Sequence, residues 1–354
     1  MKVYKNLFEK IISLENLFSA WDTFKNDKRN RYDVQQFEWK LEQNIFQLCR
    51  ELKNKTYKHG PYTGFYIRDP KQRHIHKALV RDRVLHHAVF SIINPIFEET
   101  FIPTSFSCRI GYGTHRGVTV LEKMARRIYK NGTSSCFVLK CDIQKFFDSV
   151  DHHVLLSILQ KRIKDEDAVW LLQEVIESYS SSRSTIFEKK GLPIGNLTSQ
   201  LFANVYMNEF DQFVKSDLKV RNYVRYTDDF AIVSESSAHL EGLLGPIAEF
   251  LDCKLALGLH PEKITIHKSN RGVDFLGYLI FPNHRLIRTK TKRRILAKLR
   301  SRTDEFCNGR ISRLILEQSL QSYLGVLSHA NSYNLSQDIQ NQYWFWLTKK
   351  LKTA

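Results

Sequence analysis

Apolar residues return at helical spacing from the start of the chain. Leu7, Ile11, Leu14, Leu17, Phe18 and Trp21 are followed, after a charged break at Asn26–Arg31, by Val34, Phe37, Leu41, Ile45, Leu48 and Leu52. Spacings of three and four residues lay an apolar stripe along one helix face, so residues 5–55 are expected to be helical. Tyr62–Ile67 has the composition of a strand, Asp69-Pro70-Lys71 supplies a turn, and a second short strand returns near Arg73–Ile75. Helices are predicted over Arg81–Phe97 and residues 118–130.

The pattern then changes. Phe137-Val138-Leu139, running into Lys140-Cys141-Asp142, reads as a buried strand that ends in a carboxylate. Residues 152–162 and 165–178 are helical in pattern, and a serine-rich loop, Ser180–Ser184, leads to Gly191-Leu192-Pro193. A long helix is expected from Asn196, carrying Leu201, Ala203, Asn204, Tyr206, Met207 and Phe210. Tyr223–Tyr226 and Phe230–Val233 read as two strands joined by a tight turn at Thr227-Asp228-Asp229. Residues 239–256 follow as a helix, and residues 263–268 and 273–281 as extended segments; from Thr289 the chain is helical and very basic to its end. A helical start, a mixed centre and a helical end predict an α+β protein whose sheet is covered on one face.

Composition narrows the class. The 354 residues suit two or three subdomains, and with 42% hydrophobic residues, 15 Gly and 8 Pro the chain is not disordered as a whole. The balance of 54 Lys+Arg against 37 Asp+Glu leaves +17, which attracts polyanions, nucleic acid first and anionic membrane second. No apolar run follows Met1-Lys2-Val3-Tyr4-Lys5 as a secretion signal requires, and no stretch of about 18 apolar residues occurs to span a membrane. Six scattered cysteines without a CxxC pair suit reduced thiols in the cytoplasm rather than a zinc site.

The carboxylates carry the candidate chemistry. Asp142 closes an apolar strand, and Asp228-Asp229 sit at a turn between two apolar strands. Taken alone, an Asp-Asp pair is an ordinary solvated hairpin turn. Beside an apolar sheet, however, like charges repel and are poorly hydrated, a penalty that divalent cations remove. Carboxylate oxygens suit Mg²⁺, with Mn²⁺ as a possible substitute. Two such ions about 3.5–4 Å apart can activate a 3′-hydroxyl and stabilise a leaving pyrophosphate.

Five segments, in order, resemble the motifs of reverse transcriptases: Asp142-Ile143-Gln144-Lys145-Phe146-Phe147-Asp148; Gly191-Leu192-Pro193-Ile194-Gly195-Asn196 with Thr198-Ser199-Gln200 and Leu201-Phe202-Ala203-Asn204; Tyr226-Thr227-Asp228-Asp229; Leu259-His260-Pro261-Glu262-Lys263; and Gly272-Val273-Asp274-Phe275-Leu276-Gly277-Tyr278. The resemblance implies a right-hand polymerase fold with an antiparallel palm sheet and helices on one face. It divides the chain into an N-terminal helical region and fingers over 1–135, a palm over 136–280, with the 190–205 loop and helix adjoining the fingers, and a helical basic thumb over 281–354. It implies that Asp142 and Asp228 bind metal with Asp229 and the backbone of Ile143 in support, and that Lys263 protonates pyrophosphate. Lys71 and Arg73 are expected to clamp the triphosphate, Arg by paired contacts and Lys as a point charge. Phe147 matches the ring that excludes a ribose 2′-hydroxyl, with Phe146 as its core neighbour. Ile194, Gly195 and Gln200 are expected beside the nucleotide. Tyr226, Gly277 in the primer grip, and Lys290, Lys292, Arg293 and Arg294 in the basic run are expected against nucleic acid.

The second motif departs from the Pro-Gln-Gly of most bacterial and intron-type relatives. Its Pro193-Ile194-Gly195-Asn196 form is similar to the reverse transcriptases of diversity-generating retroelements, which copy a template repeat with errors at adenines. No maturase region or nuclease cluster is recognised before Ala354, as that type leads one to expect. The partners implied are an RNA template, a DNA or RNA primer, dNTPs, a small basic accessory oligomer and a structured non-coding RNA, with no membrane. A defence-associated or group II intron-like reverse transcriptase would share every motif. A non-catalytic RNA-binding relative would be expected to lose one of the three aspartates. Arg81-Asp82-Arg83 reads as a structural ion pair, and Tyr323, Trp344 and Trp346 as core.

Overall fold

The computed structural model describes residues 2–68, 71–185 and 188–351. The predicted N-terminal helical stretch is four helices: α1 (Phe8–Ile12), α2 (Leu14–Lys25), α3 (Tyr32–Trp39) and α4 (Leu41–Lys53). Ser13 separates the first two and caps α2 by accepting from the Asn16 amide, satisfying one of the donors a helix start leaves free. The predicted hairpin is β1 (Thr63–Ile67) paired antiparallel with β2 (Arg73–Lys77). Asp69 and Pro70 of its predicted turn lie outside the described residues.

The next helices are α5 (Val80–Glu98) and α6 (Thr114–Tyr129). The latter starts four residues before its predicted beginning at residue 118, because Gly113, at φ +124°, turns the chain into it. Then come β3 (Phe137–Asp142), a single turn α7 (Phe146–Ser149), α8 (His152–Arg162), α9 (Glu166–Glu177) and α10 (Leu197–Gln212). Asp151 and Asp165 cap α8 and α9, and Asp165 also accepts the Leu7 and Phe8 amides, tying the start of the chain to the centre. Two strands, β4 (Tyr223–Tyr226) and β5 (Asp229–Ser234), precede α11 (Ser237–Leu255) and β6 (Thr265–Lys268). The predicted extended segment 273–281 is divided by a turn at Leu276-Gly277, both at positive φ, into β7 (Val273–Phe275) and β8 (Tyr278–Ile280). A strand the apolar pattern did not reveal, β9 (Arg285–Ile287), completes that small sheet. The basic C-terminal run forms α12 (Thr289–Cys307), α13 (Arg313–Ser328) and α14 (Tyr333–Leu351).

The central sheet has the order β4-β5-β3-β6 with every neighbour antiparallel. Because side chains alternate across a strand, its two faces meet different partners. Leu139, Cys141, Tyr223, Phe230 and Ile232 belong to the main core, which also takes in α1, α2, α5, α8, α9, α10 and α11. Val138, Val224, Ala231 and Val233 pack with Val118, Leu121 and Ala125 of α6 and with the small sheet. The opposite face therefore carries one helix and part of a second sheet in addition to the helical layer expected. The three C-terminal helices close a separate cluster around Ile295, Leu299, Leu316, Leu320, Leu327, Ile339, Tyr343 and Leu347.

Arg81-Asp82-Arg83 is structural, as expected. Asp82 is fully buried and accepts from the Tyr57 hydroxyl and the Gly60 amide, while Arg81 pairs with Glu51 and Arg83 with Asp33. Tyr323 and Trp346 pack against the C-terminal cluster, but Trp344 is 51% exposed and so is no core residue. Its neighbour Tyr343 takes the inward position of that turn instead.

The loop that precedes α10 depends on Gly191. It sits at φ +112°, and a Cβ there would stand 2.7 Å from the Ser181 Cβ and 3.1 Å from the Ser181 backbone nitrogen. Gly191→Ala is expected to destabilise the fold by about 1–3 kcal/mol. Gly242→Ala, inside α11 with open space around it, should be neutral or stabilise by up to about 1 kcal/mol. Denaturant midpoints measure both, and a Gly191→Ala protein as stable as wild type would refute the packing argument.

Candidate active site

Strand register brings the carboxylates together. Asp142, last in β3, is the Cα partner of Asp229, first in β5, and Lys140 is opposite Ala231. Directly opposed residues point to the same face, so Asp142, Asp229 and Lys140 share the side that also carries Val138 and Ala231. Asp228 stands in the turn between Tyr226 and Asp229, which are themselves cross-strand partners. The segment after β3 continues the ladder through an isolated antiparallel bridge, Ile143 with Leu259. Through it the Leu259–Lys263 segment lies beside Asp142: the His260 amide donates to the Asp142 carbonyl at 2.8 Å, and Lys263 Nζ reaches Asp142 Oδ1 at 2.6 Å. On the other side Lys140 Nζ is 3.7 Å from Asp229 Oδ1.

The electrostatic cost of this convergence falls on the turn. Burial, then the Asp229 carboxylate, then Asp142, push the Asp228 carboxyl up to about 6. Asp229 is raised as well, chiefly by burial, with Lys140 the main influence in the opposite direction. Lys71 of the β1–β2 hairpin also acts electrostatically on Asp229. The site thus favours added positive charge. Among the described residues, no three His, Cys, Asp or Glu side chains form a ready-made metal cage. Mg²⁺ in phosphate sites is held by one or two carboxylates together with water and substrate oxygens. Asp142 and Asp228 fit such an open site, with Asp229 beside them.

A cleft of about 510 Å³ opens over the turn, a volume suited to a small ligand. Of the residues expected at a nucleotide site, Arg73, Phe147, Ile194, Gly195 and Gln200 line it, together with Tyr226, Asp228 and Asp229. Phe146 is 2% exposed and packs edge-on against the half-buried Phe147; both rings border the cleft, with Phe147 the more exposed of the two. Leu276 lines the far edge, which brings the Leu276-Gly277 turn to the cleft. Lys290, Lys292, Arg293 and Arg294 are not part of its wall. They occupy the first turns of α12, where Lys290, Lys292 and Arg293 face solvent and Ile295 and Leu299 face the C-terminal cluster.

The β1–β2 hairpin is held over the cleft by specific contacts. A two-stranded ribbon is marginal alone. Here the His76 amide donates to the Ile194 carbonyl at 2.9 Å, and Asn196 Nδ2 donates to the His76 carbonyl at 3.0 Å. Gly195 permits the approach, since a Cβ there would meet Ile75 Cγ2 at 2.7 Å. The Lys77–Asp33 pair, at 2.7 Å, ties the hairpin to α3.

Several residues of the site were not foreseen. Lys140 had a usable signal, because a lysine two residues before Asp142 in a strand must share its face. Lys145, Asp148, Asn196 and Ser199 also line the cleft, and Ser107 and Cys108 reach it from the loop before α6. That loop's contact with the turn joins residues over 100 positions apart and has no local pattern.

Residues 67–280 match the family described as Reverse transcriptase (RNA-dependent DNA polymerase). Protein YkfC of Escherichia coli K12 is 26% identical, over 68% of this chain and 71% of that protein. The group II intron-encoded protein LtrA of Lactococcus lactis is also 26% identical, covering 80% of this chain but 56% of its own length. Nuclear intron maturase 1 of Arabidopsis thaliana is 26% identical over 61% of this chain and 27% of its own length. Among solved structures, a telomerase of Candida albicans in complex with a fragment of telomeric RNA superposes over 90% of this chain and 60% of its own, with a TM-score of 0.52 at 12% identity. The architecture is that of right-hand polymerases, an antiparallel sheet with packed helices. With the family matched over more than half its length, the chain belongs to the reverse transcriptases, the RNA-dependent DNA polymerases.

Proposed function

We propose that this protein copies an RNA template into DNA at the cleft above the Tyr226–Asp229 turn, using two divalent cations, with Mg²⁺ the expected ion. The observation that carries the reading is the convergence of Asp142, Asp228 and Asp229 at one end of the sheet, where burial and mutual repulsion push Asp228 up to about 6. Cations held by Asp142 and Asp228, with the Ile143 carbonyl and Asp229 in support, would offset that charge, activate a primer hydroxyl and steady the leaving pyrophosphate. In this reading residues 1–135 form the N-terminal region and fingers, 136–280 the palm and 281–354 the thumb. Lys71 and Arg73 hold the triphosphate from the hairpin, and Phe147 stands against the sugar. Tyr226 and Gly277 support the primer end, and the exposed lysines and arginine at the start of α12 follow the phosphate backbone.

Lys263 is the general acid in this scheme. Its ammonium lies 2.6 Å from Asp142 Oδ1, a position from which, with a cation and substrate bound at Asp142, it would be able to give a proton to the departing pyrophosphate. Lys263→Ala should lower kcat by about 10²-fold, the scale of a lost general acid, with a smaller change in the nucleotide KM. Steady-state primer extension measures both, and a kcat within about twofold of wild type would remove Lys263 from the mechanism.

The finer reading is an error-prone enzyme of the diversity-generating type, supported by Ile194 and the Asn196 form of the second motif. Ile194 lines the cleft, where an apolar side chain gives base-pair edges no hydrogen bond to test their geometry. A group II intron-like role is the second reading, favoured by the likeness to LtrA over 80% of this chain. Sequencing cDNA made on a defined RNA template separates them: the diversifying reading predicts errors concentrated opposite adenines and fewer of them in Ile194→Gln. Uniformly accurate product, or an error rate unchanged by Ile194→Gln, would count against it and favour the intron-like role.

A further inference from the structure

A charged residue lies beneath the catalytic turn, on the side of the sheet away from the cleft. Side chains alternate along β4, so Val224 and Tyr226 face the cleft side while Tyr223 and Arg225 face α10. Arg225 is fully buried, as is its partner Asp211 on α10. Arg225 Nε donates to Asp211 Oδ1 at 2.7 Å and Nη2 to Oδ2 at 2.6 Å, a paired contact, and the Tyr223 hydroxyl donates to the same Oδ1 at 2.7 Å. Two of the three remaining guanidinium donors reach outward: Nη2 to Ser105 Oγ at 3.0 Å, and Nη1 to the Thr227 carbonyl at 3.0 Å.

Thr227 is the residue that needs holding. Its φ of +56° belongs to the left-handed region, which a β-branched side chain avoids. It is the first turn residue, and Asp228 and Asp229 follow directly. Two contacts secure it: the guanidinium grips its carbonyl, and its hydroxyl donates to Ser107 Oγ at 2.6 Å. The segment that carries Ser105 and Ser107 is itself laid along β4 by backbone bonds, Arg225 N to Thr104 O at 2.9 Å and Phe106 N to Arg225 O at 3.0 Å. At the other end of the ion pair, Asp211 is one residue from the end of α10, the helix whose start carries the Gly195–Gln200 side of the cleft. A buried ion pair is a poor source of net stability compared with apolar residues of similar size, so its use here points to geometry.

We infer that the Arg225–Asp211 pair is a positioning device that locks the Thr227 turn in its left-handed form and fixes Asp228 and Asp229 relative to α10. Neither residue touches the cleft; both act through the turn's backbone. The inference rests on the reading that Asp228 and Asp229 serve the reaction.

Arg225→Lys keeps the charge and loses the fork. Hydrogen exchange of the peptide over residues 222–234, thermal unfolding, and kcat and KM for primer extension are measured on the same preparations. The expected result is faster exchange confined to the turn and a kcat lower by about 10- to 100-fold with the nucleotide KM little changed, the scale of a small misplacement of reacting groups. Adding Thr227→Gly, which takes the left-handed form freely, should restore part of kcat. Turn exchange equal to wild type, a kcat unaffected by a loosened turn, or activity lost only in step with global unfolding would each overturn the inference. If Arg225→Lys does not fold, Ser105→Ala, which leaves the ion pair intact but removes an acceptor that orients the guanidinium, must speed exchange at the turn by more than its loss of global stability accounts for, and no such local change is equally fatal. The exchange readout does not depend on turnover, so a wild-type protein that fails to extend a primer would sink the polymerase reading while the exchange still tests the clamp.

Discussion

Three carboxylates are forced towards one another by the pairing of β3 with β5, and the surrounding site can be understood as a response to that repulsion. The register sets Asp142 against Asp229, and the two-residue turn adds Asp228. Slipping the register by one residue would send Asp142 to the opposite face, into the core, so apolar burial on both faces enforces the electrostatically costly arrangement. The main core on one side and the α6 cluster on the other supply that enforcement.

The positive groups near the site act at different strengths. Lys263 on Asp142 and Lys140 on Asp229 are pairs with partly exposed partners, worth of the order of 1 kcal/mol or less. They temper the charge without fixing the turn, and can yield to cations or substrate. The Arg225–Asp211 pair is inaccessible to water, and breaking it would leave a buried charge without its partner. The site therefore combines exchangeable counter-charge above the turn with a neutral, permanently buried ion pair beneath it that holds the turn's backbone. The same division runs through the nucleotide side, where the Gly195 approach and the His76–Ile194 bond fix the hairpin while Lys71 remains exposed.

Much of this was legible from the sequence, for identifiable reasons. The limits of β3 and β4 could be read directly and Asn196 marked the start of α10, but β5 runs one residue further at each end than Phe230–Val233, because Asp229 leaves the turn to pair with Asp142 and Tyr226. The cleft gathers Arg73, Phe147, Ile194, Gly195 and Gln200, whereas Asp142, Lys71 and Lys263 are not among the residues of its wall. What escaped depends on distant pairing. Strand β9 is three residues of mixed burial, Arg285–Ile287, with no periodicity to mark it. The early start of α6 turns on the backbone of Gly113, and Trp344 faces outward because Tyr343 fills the inward position. Arg225 was visible as a charge in an apolar strand, but its meaning required Asp211, 14 residues earlier and on another element.

The most direct test of the account is incorporation of a single deoxynucleotide onto a primer annealed to RNA, measured against Mg²⁺ concentration for wild type and Asp228→Asn. The account predicts Mg²⁺-dependent incorporation by wild type. It predicts loss of about 10³-fold or more in Asp228→Asn, because electrostatic stabilisation of developing charge is the largest share of such catalysis. Incorporation by Asp228→Asn at the wild-type rate and with the same Mg²⁺ dependence would contradict it.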